Sequence, residues 1–468
     1  MRTLQSTATL LLILTLSIIG IRSEAQERHE FSLAQSVEYA KKNSAQVKNA
    51  LLAVKNQAEV NREVTAAAYP SINGTLGATY NPNVATQSFP NFIAAATYGV
   101  LEAEGVKDGN GNTIVSPADF GFIQAQFGTK YSSSVGLTLN QLLFDGQVFV
   151  GLQARRTTIE WAEKNVEVTE ENIKANIHKI YYQLLVSKRQ LELLDANIGL
   201  VDSLARTTRI LYDNGFAEKL DIDKLQVQKS NLQTEMTKAL NGIETGYLGL
   251  KVLMGMPVKD TLVLTDVLTD DMIKEGGLEL GQFNYTDRPD YQYAEISRKL
   301  SEFNVRRYKL SQIPTVSLSG AYLKNAQRNK FDFFGKGDWF TISNVNLNIN
   351  VPIFNGFSTK AKIAQAQIAV QQANIQIDAM KNMIDQEVEA ARISYRSALI
   401  TLDEQKKNME LAEKVYQQTK KKFEVGTGSA LEITQSQTEL KSAQTNYISA
   451  LYDAIIAKVD FQKATGKL

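Results

Sequence analysis

The chain has 468 residues, with 51 basic and 50 acidic side chains, a formal net charge of +1, two histidines and no cysteine. That balance gives no electrostatic reason to expect nucleic acid as a partner, and the lack of thiols excludes disulfides, thiolate chemistry and cysteine-ligated metal. With only His29 and His178, metal catalysis is not expected either. No nucleophile and base pair, phosphate loop or ligand cluster points to an enzyme or a cofactor.

The N-terminus places Arg2 before a mostly apolar run from Leu10 to Ile21, followed by Ser23-Glu24-Ala25. This reads as a secretory signal peptide over 1–25, too short to span a bilayer, with Gln26 as the first mature residue. No cysteine follows the expected cut, which excludes a lipoprotein-type anchor. No later window reaches about 18 uninterrupted apolar residues, so any membrane insertion must use strands.

From Ser32, placed as an N-cap, to Ala68 the pattern is helical, with a break expected near Asn43-Ser44. Pro70 stops the helix. Residues 71–80 then alternate without a charge, with Ile72, Gly74, Leu76, Ala78 and Tyr80 opposite Ser71, Asn73, Thr75, Gly77 and Thr79. Residues 81–130 are punctuated by Gly, Asn and Pro and read as a long exposed loop, with a turn at Asp108-Gly109-Asn110-Gly111-Asn112. Alternation resumes over 131–144, with Val135, Leu137 and Leu139 on one side, and a β-hairpin over 71–144 closes at Asp145-Gly146. A long helix over 147–213 is expected next, broken at Asn214-Gly215, with a returning helix that ends at Met254-Gly255-Met256-Pro257.

Residues 256–290 form an irregular, acidic linker, after which the plan repeats. A helix over 291–312 stops at Pro314; a strand over 315–322 carries Val316 and Leu318 on one face; an aromatic loop contains Phe331, Phe333, Phe334 and Trp339. A strand over 342–351 then alternates Val345, Leu347, Ile349 and Val351 with Asn344, Asn346, Asn348 and Asn350. The second helical hairpin occupies 357–466. Its first arm, Phe357 to Val425, is 69 residues without glycine or proline, and apolar residues return every seventh position as Val388, Tyr395, Leu402, Met409, Tyr416 and Phe423. Such spacing keeps a seam against a neighbouring helix only if the helices supercoil left-handedly. At an offset of 211 the same ladder reads Ile177, Leu184, Leu191, Ile198, Ala205 and Tyr212. The chain is thus two repeats, 26–255 and 291–468.

Four strands of about 8 to 11 residues, apolar on one face and Asn/Ser/Thr-rich on the other, fit outward-apolar, inward-polar membrane strands. Four strands cannot close in lipid, where each unpaired edge group costs several kcal/mol, so the barrel must be shared between subunits. Helices with two heptad seams can touch neighbours on both sides and form a ring around water. The competing reading is a coiled-coil structural or partner-binding protein of the cell envelope that conducts nothing.

The order strand, loop, strand, long helical hairpin, given twice behind a signal peptide, resembles the TolC family of outer-membrane efflux proteins. The resemblance is strongest at the hairpin turns, 211–222 and 422–433, where an aromatic precedes glycine by three and Leu, an acid and Ile follow at five, six and seven. It implies a mainly α fold with a membrane β-barrel: a homotrimer with a 12-stranded barrel in the outer-membrane lipid, continued by a periplasmic helical barrel. It also implies a passive exit duct for an inner-membrane pump, in efflux or type I secretion, reached through a periplasmic adaptor. Adaptor-docking turns would comprise Gly215, Leu220, Asp221, Gly426, Thr427 and Leu431. At the periplasmic entrance the family's two inward carboxylates correspond to Glu432 and Gln435, so one charge is kept. The tyrosine and arginine that tie the closed end in the best-known member correspond to Phe423 and Gly428, so that hydrogen-bonded gate is not expected. The lipid-facing band is expected to be Ile72, Leu76, Val135, Leu137, Leu139, Val316, Leu318, Val345, Leu347 and Ile349.

Overall fold

The structure, a computed structural model, describes residues 27–268, 283–335 and 337–468. The expected signal peptide and residues 269–282 of the linker lie outside these. The chain divides into two compact units, one of Met1–Ala58, Arg156–Ser301 and Ile368–Leu468, the other of Glu59–Arg155 and Glu302–Gln367. Among the described residues no helix is long and apolar enough to cross a membrane.

In chain order the elements are β1 (Arg28–Phe31), α1 (Leu33–Asn43), α2 (Ala45–Ala66), β2 (Ser71–Tyr80), β3 (Thr86–Pro90), α3 (Phe92–Ala103), β4 (Phe122–Gln126) and β5 (Tyr131–Phe144). There follow α4 (Gly146–Asp213), α5 (Lys219–Met254), β6 (Thr261–Leu264), α6 (Pro289–Leu310), β7 (Thr315–Arg328), β8 (Phe340–Asn350), α7 (Ser358–Glu424) and α8 (Ala430–Ala464).

The first unit is built on the four long helices. Ser32 caps α1 in a reciprocal box with Gln35, and α1 ends at Asn43, where the chain kinks through Ser44 into α2. Two features escape the sequence pattern. β1 pairs in parallel with β6, more than 230 residues away, and Tyr181 of α4 donates to the Phe31 carbonyl at 3.1 Å, pinning that pair to the helix. Leu262 and Leu264 of β6 are buried with Ile173, Ile177, Leu184 and Met254, so this part of the linker is core. Gly255 ends α5 with φ 74°, and a Cβ there would lie 2.2 Å from the Asn43 carbonyl oxygen.

The heptad ladder of α7 is buried at Val388, Tyr395, Leu402, Tyr416 and Phe423. In α4 the ladder departs from expectation. Ile177 and Leu184 are buried, but towards the turn the buried positions move to Leu194, Val201 and Leu204, leaving Tyr212 exposed. A second seam of α4, through Leu194, Val201 and Leu204 beside that ladder, thus packs against the other long helices, in one cluster with Leu225, Leu232, Tyr416, Phe423, Ile433 and Leu440. At the start of the second repeat the nearly buried Arg288 donates to Asp290 at 2.8 Å, to Glu387 at 2.7 Å and to the Ala464 carbonyl at 3.1 Å. One guanidinium thus ties the start of α6 to the middle of α7 and the end of α8.

The second unit is organised by an antiparallel sheet of order β2-β5-β7-β8. β7 runs to Arg328, six residues past the expected end, because Leu323 to Arg328 continue to pair with 131–136 although their side chains no longer alternate. A bulge between Leu142 and Phe144 shifts the register at the helix-proximal end. The segment read as a loop over 81–130 holds a two-stranded sheet, β3-β4, and the helix α3. Its Asp108 turn is as expected, with the carboxylate accepting from the amides of Asn110 and Asn112 at 2.9 and 2.8 Å.

Gly136 sits where β5 and β7 approach most closely: a Cβ there would meet the Tyr322 carbonyl oxygen at 2.2 Å, whereas one at Gly320 would meet nothing nearer than 3.6 Å. Gly136→Ala is expected to cost about 1 to 3 kcal/mol by overpacking and to lower the thermal midpoint of the extracted protein, while Gly320→Ala leaves it nearly unchanged. Equal midpoints for the two variants would show that the strands can separate locally without cost.

Candidate functional site

Over most of its length the sheet sorts its side chains by face, with Lys324 opposite Val135 on the apolar face and Leu323 opposite Ile342 on the other as exceptions. Partners in antiparallel register share a face, and Ile72 pairs with Leu139, Leu76 with Val135, Val316 with Ile349, Leu318 with Leu347 and Gly320 with both Leu139 and Val345. All ten residues of the expected lipid-facing band therefore lie on one face, several of them largely exposed, with Leu76 at 82%. The opposite face carries Asn73, Thr75, Thr138, Asn140, Ser317, Ser319, Asn346 and Asn348, with Asn348 donating to Ser319 at 3.2 Å. β2 and β8 each pair on one side only, so the sheet has two open edges.

The two hairpin turns are built alike. Gly215 and Gly426 take φ 81° and 77°, left-handed values that a side chain disfavours. In each, the glycine amide bonds back three residues, to Tyr212 at 2.9 Å and to Phe423 at 3.1 Å. The next amide bonds back five, Phe216 to Leu211 at 2.8 Å and Thr427 to Lys422 at 2.9 Å. This is the paired closure of a helix ending in glycine. The following helix starts in the same way in both repeats. Asp221 and Glu432 stand three residues into α5 and α8 and return a carboxylate to the backbone amide of their N-caps, Glu218 at 3.4 Å and Ser429 at 3.5 Å. Ser429 Oγ in turn accepts from the Glu432 amide at 3.2 Å. The acid at the sixth position after each glycine is thus a capping residue, a role not read from the sequence.

The motif residues around it divide by burial. Ile433 is core, while Leu220 and Leu431 are exposed, Leu431 at 74%. The turns lie side by side around a cleft of about 750 Å³ lined by Leu211, Phe216, Asp221, Val425, Gly428 and Leu431 among others. Phe216, 81% exposed, and Val425 add apolar surface that the sequence reading passed over, although an aromatic directly after a turn glycine is a visible signal. Of the four positions matched to the entrance, Phe423 is buried among Tyr416, Ile433 and Leu440, so in this chain it packs the hairpin end instead of presenting a surface. Gly428 folds back on the helix end, its amide donating to the Lys422 carbonyl at 3.0 Å, and a Cβ there would come within 3.0 Å of the Phe423 nitrogen. Gln435 donates to Glu439 at 2.9 Å along the helix surface.

Above the turns the helices enclose amides. Asn197 of α4, 2% exposed, donates to Gln444 at 2.6 Å and accepts from the buried Gln437 at 3.2 Å, and Gln437 also accepts from Gln228 of α5. Lys441 pairs with Glu235 at 2.7 Å beside them. The signal was present as polar residues inside the 3 and 4 spacing, Asn197 between Leu194 and Val201, and Gln437 between Ile433 and Leu440.

Comparison with known proteins agrees with this architecture. The model of the family described as outer membrane efflux protein matches residues 37–256 and 286–467, one segment per repeat. The outer membrane protein TolC of Vibrio cholerae is 20% identical over 336 residues, 72% of this chain and 77% of that one. The outer membrane efflux protein BepC of Brucella suis is 21% identical over 341 residues, 72% and 73% of the two chains. The proteases secretion protein PrtF of Dickeya chrysanthemi is 21% identical over 247 residues, covering 52% and 53%. Among solved structures, CusC superposes with a TM-score of 0.73 at 16% identity over 93% of this chain and 92% of its own. VceC of Vibrio cholerae superposes with 0.67 at 14% identity over 93% and 96%. With both repeats matched and the channel fold reproduced over nearly the whole chain, this protein belongs to the outer membrane efflux protein family and is an exit duct of the outer membrane.

Proposed function

We propose that three copies of the chain assemble around one axis, their sheets closing into a 12-stranded barrel in the outer membrane. The observation that carries this is the sheet itself, with one apolar face, one Asn/Ser/Thr face and two open edges. In lipid every edge amide must be paired, and copies of β2 and β8 are the groups available to pair. The helical unit supports the same reading, since α7 carries a second apolar row at Ile368, Ile375, Ile393 and Ile400 that is exposed among the described residues. The duct performs no chemistry. An inner-membrane pump would supply cargo, and a periplasmic adaptor would seat on the paired turns, with Phe216, Leu220, Val425 and Leu431 as the apolar contacts. PrtF is named for secretion of proteases and TtgC of Pseudomonas putida for toluene efflux, so small molecules and polypeptides are both within the range of such a duct. Extraction of a trimer-sized, heat-dissociable species by detergent and not by salt tests the assembly; release by salt alone would favour an envelope spacer.

Leu347→Lys would put a charge at mid-strand on the lipid face, at a cost of about 2 to 4 kcal/mol, and should reduce the assembled protein, while Asn346→Ala is milder. The reverse ranking on a semi-native gel would mean the two faces are exchanged. Gly426→Val must force a branched side chain into a left-handed backbone, which should perturb the turn, leave the trimer band and impair export. Loss of the band itself would give the turn a folding role. Glu432→Gln separates charge from cap, because glutamine also closes a capping box. Three copies of Glu432 around one axis attract cations, so in a planar bilayer this variant should lose cation preference with unchanged thermal stability. Unaltered selectivity would place the constriction elsewhere.

A further inference from the structure

The insertion between β2 and β5 is firmly closed at its base, where Asn81 donates to the Lys130 carbonyl at 2.7 Å and Tyr80 stacks on Tyr131 at 4.8 Å. Beyond that base it presents a helix out of keeping with an exposed position. α3 reads Phe-Ile-Ala-Ala-Ala-Thr-Tyr-Gly-Val-Leu-Glu-Ala, capped by Asn91, and none of its residues is buried. Phe92, Ile93 and Val100 are exposed, as are Phe122 and Phe127 on the neighbouring strand and the segment after it. A twelve-residue helix is marginal in water by itself, and a contiguous apolar surface of this kind marks a contact.

The topology says which surface comes to meet it. β2 runs towards the insertion and β8 away from that same end of the sheet, since β7 pairs antiparallel with both β5 and β8 and β5 with β2. If the open edge of β2 is closed by β8 of the adjacent copy, the two strands are antiparallel, and the start of that β8, Phe340, lies at the end of β2, Tyr80. The short connection of residues 329–339 in the adjacent copy then stands beside this copy's insertion. That connection is aromatic and exposed, with Phe331, Phe340 and, at 97%, Phe334. The charges are also opposite in sign: Glu102 and Glu104 close α3, and Lys324, Arg328 and Lys330 lead into the connection. A helix lying in lipid would need a basic polar face, and α3 has no basic residue.

We propose that the apolar surface of α3, with Phe122 and Phe127, is covered by the Phe331–Phe340 connection of the adjacent copy, so that the outer end of the duct is ringed by an inter-copy apolar collar. This rests on the trimeric reading given above. Because the chain has no cysteine, paired substitutions report contacts without background. Phe92→Cys or Val100→Cys would each be combined with Phe331→Cys or Phe334→Cys in the full chain. The membrane-assembled protein would be treated with a short bifunctional maleimide, then boiled in detergent. A covalent ladder to dimer and trimer from at least one pairing, absent from the single-cysteine variants, is the expected result, and adding Glu102→Lys and Glu104→Lys should weaken it. If unboiled samples run as trimers but every pairing gives only monomer after boiling, whether through a link within one chain or none, the collar is wrong and the trimer stands. If the unsubstituted protein forms no trimer, both readings fail.

Discussion

A backbone amide that faces hydrocarbon without a partner costs several kcal/mol, and the rest of this structure answers to that cost. Four strands give the chain a sheet with two unsatisfied edges, which no rearrangement within one chain can pair while the strands stay 10 to 14 residues long. In the assembly proposed above, closure comes from copies. The predominance of Leu, Ile and Val on one face and of Asn, Ser and Thr on the other prepares both solvents, and Gly136 lets β5 and β7 approach where a methyl group would collide with backbone.

The helical unit solves a different problem, that of ending and restarting very long helices twice without loosening them. Both turns use glycine in the left-handed region and an acid that caps the next helix from three residues in. The acid is therefore held in place by the backbone it satisfies. A carboxylate fixed in this way keeps its position at the hairpin end, and that makes it usable for something else. In the assembly proposed above, Glu432 would serve both the local fold and the field that a passing ion meets.

Much of this was legible in the residues, and the failures have identifiable causes. The bounds of β2 and β5 could be read because uncharged alternation is framed by Pro70 and Asp145-Gly146. β7 outran its reading because Lys324 to Arg328 are polar on both faces, so pairing persists after the period has gone. α3 was hidden by Gly99 and by flanks of Gly and Asn, and its residues have no 3.6-residue period to reveal a helix that is apolar all round. The pairing of β1 with β6 could not be foreseen, since each strand is four residues long and nothing in either names the other. Heptad spacing located two seams on α4 but not which would be filled at which height, because that depends on the partner helices and not on the period.

The amides enclosed by the long helices have a mechanical consequence. Asn197 is held from two sides, by Gln437 and by Gln444, one heptad apart on α8. Apolar seams alone would tolerate a slip of seven residues, since one knob replaces another in the same hole. Here such a slip would keep a glutamine on one side of Asn197 and bring Ala430 or Leu451 to the other, leaving one of its two buried bonds unmade at about 1 to 3 kcal/mol, on top of the broken Lys441–Glu235 pair. The cluster works as a dowel between α4 and α8: it resists sliding along the helix axes, so an axial load applied at the turns is shared between the two helices.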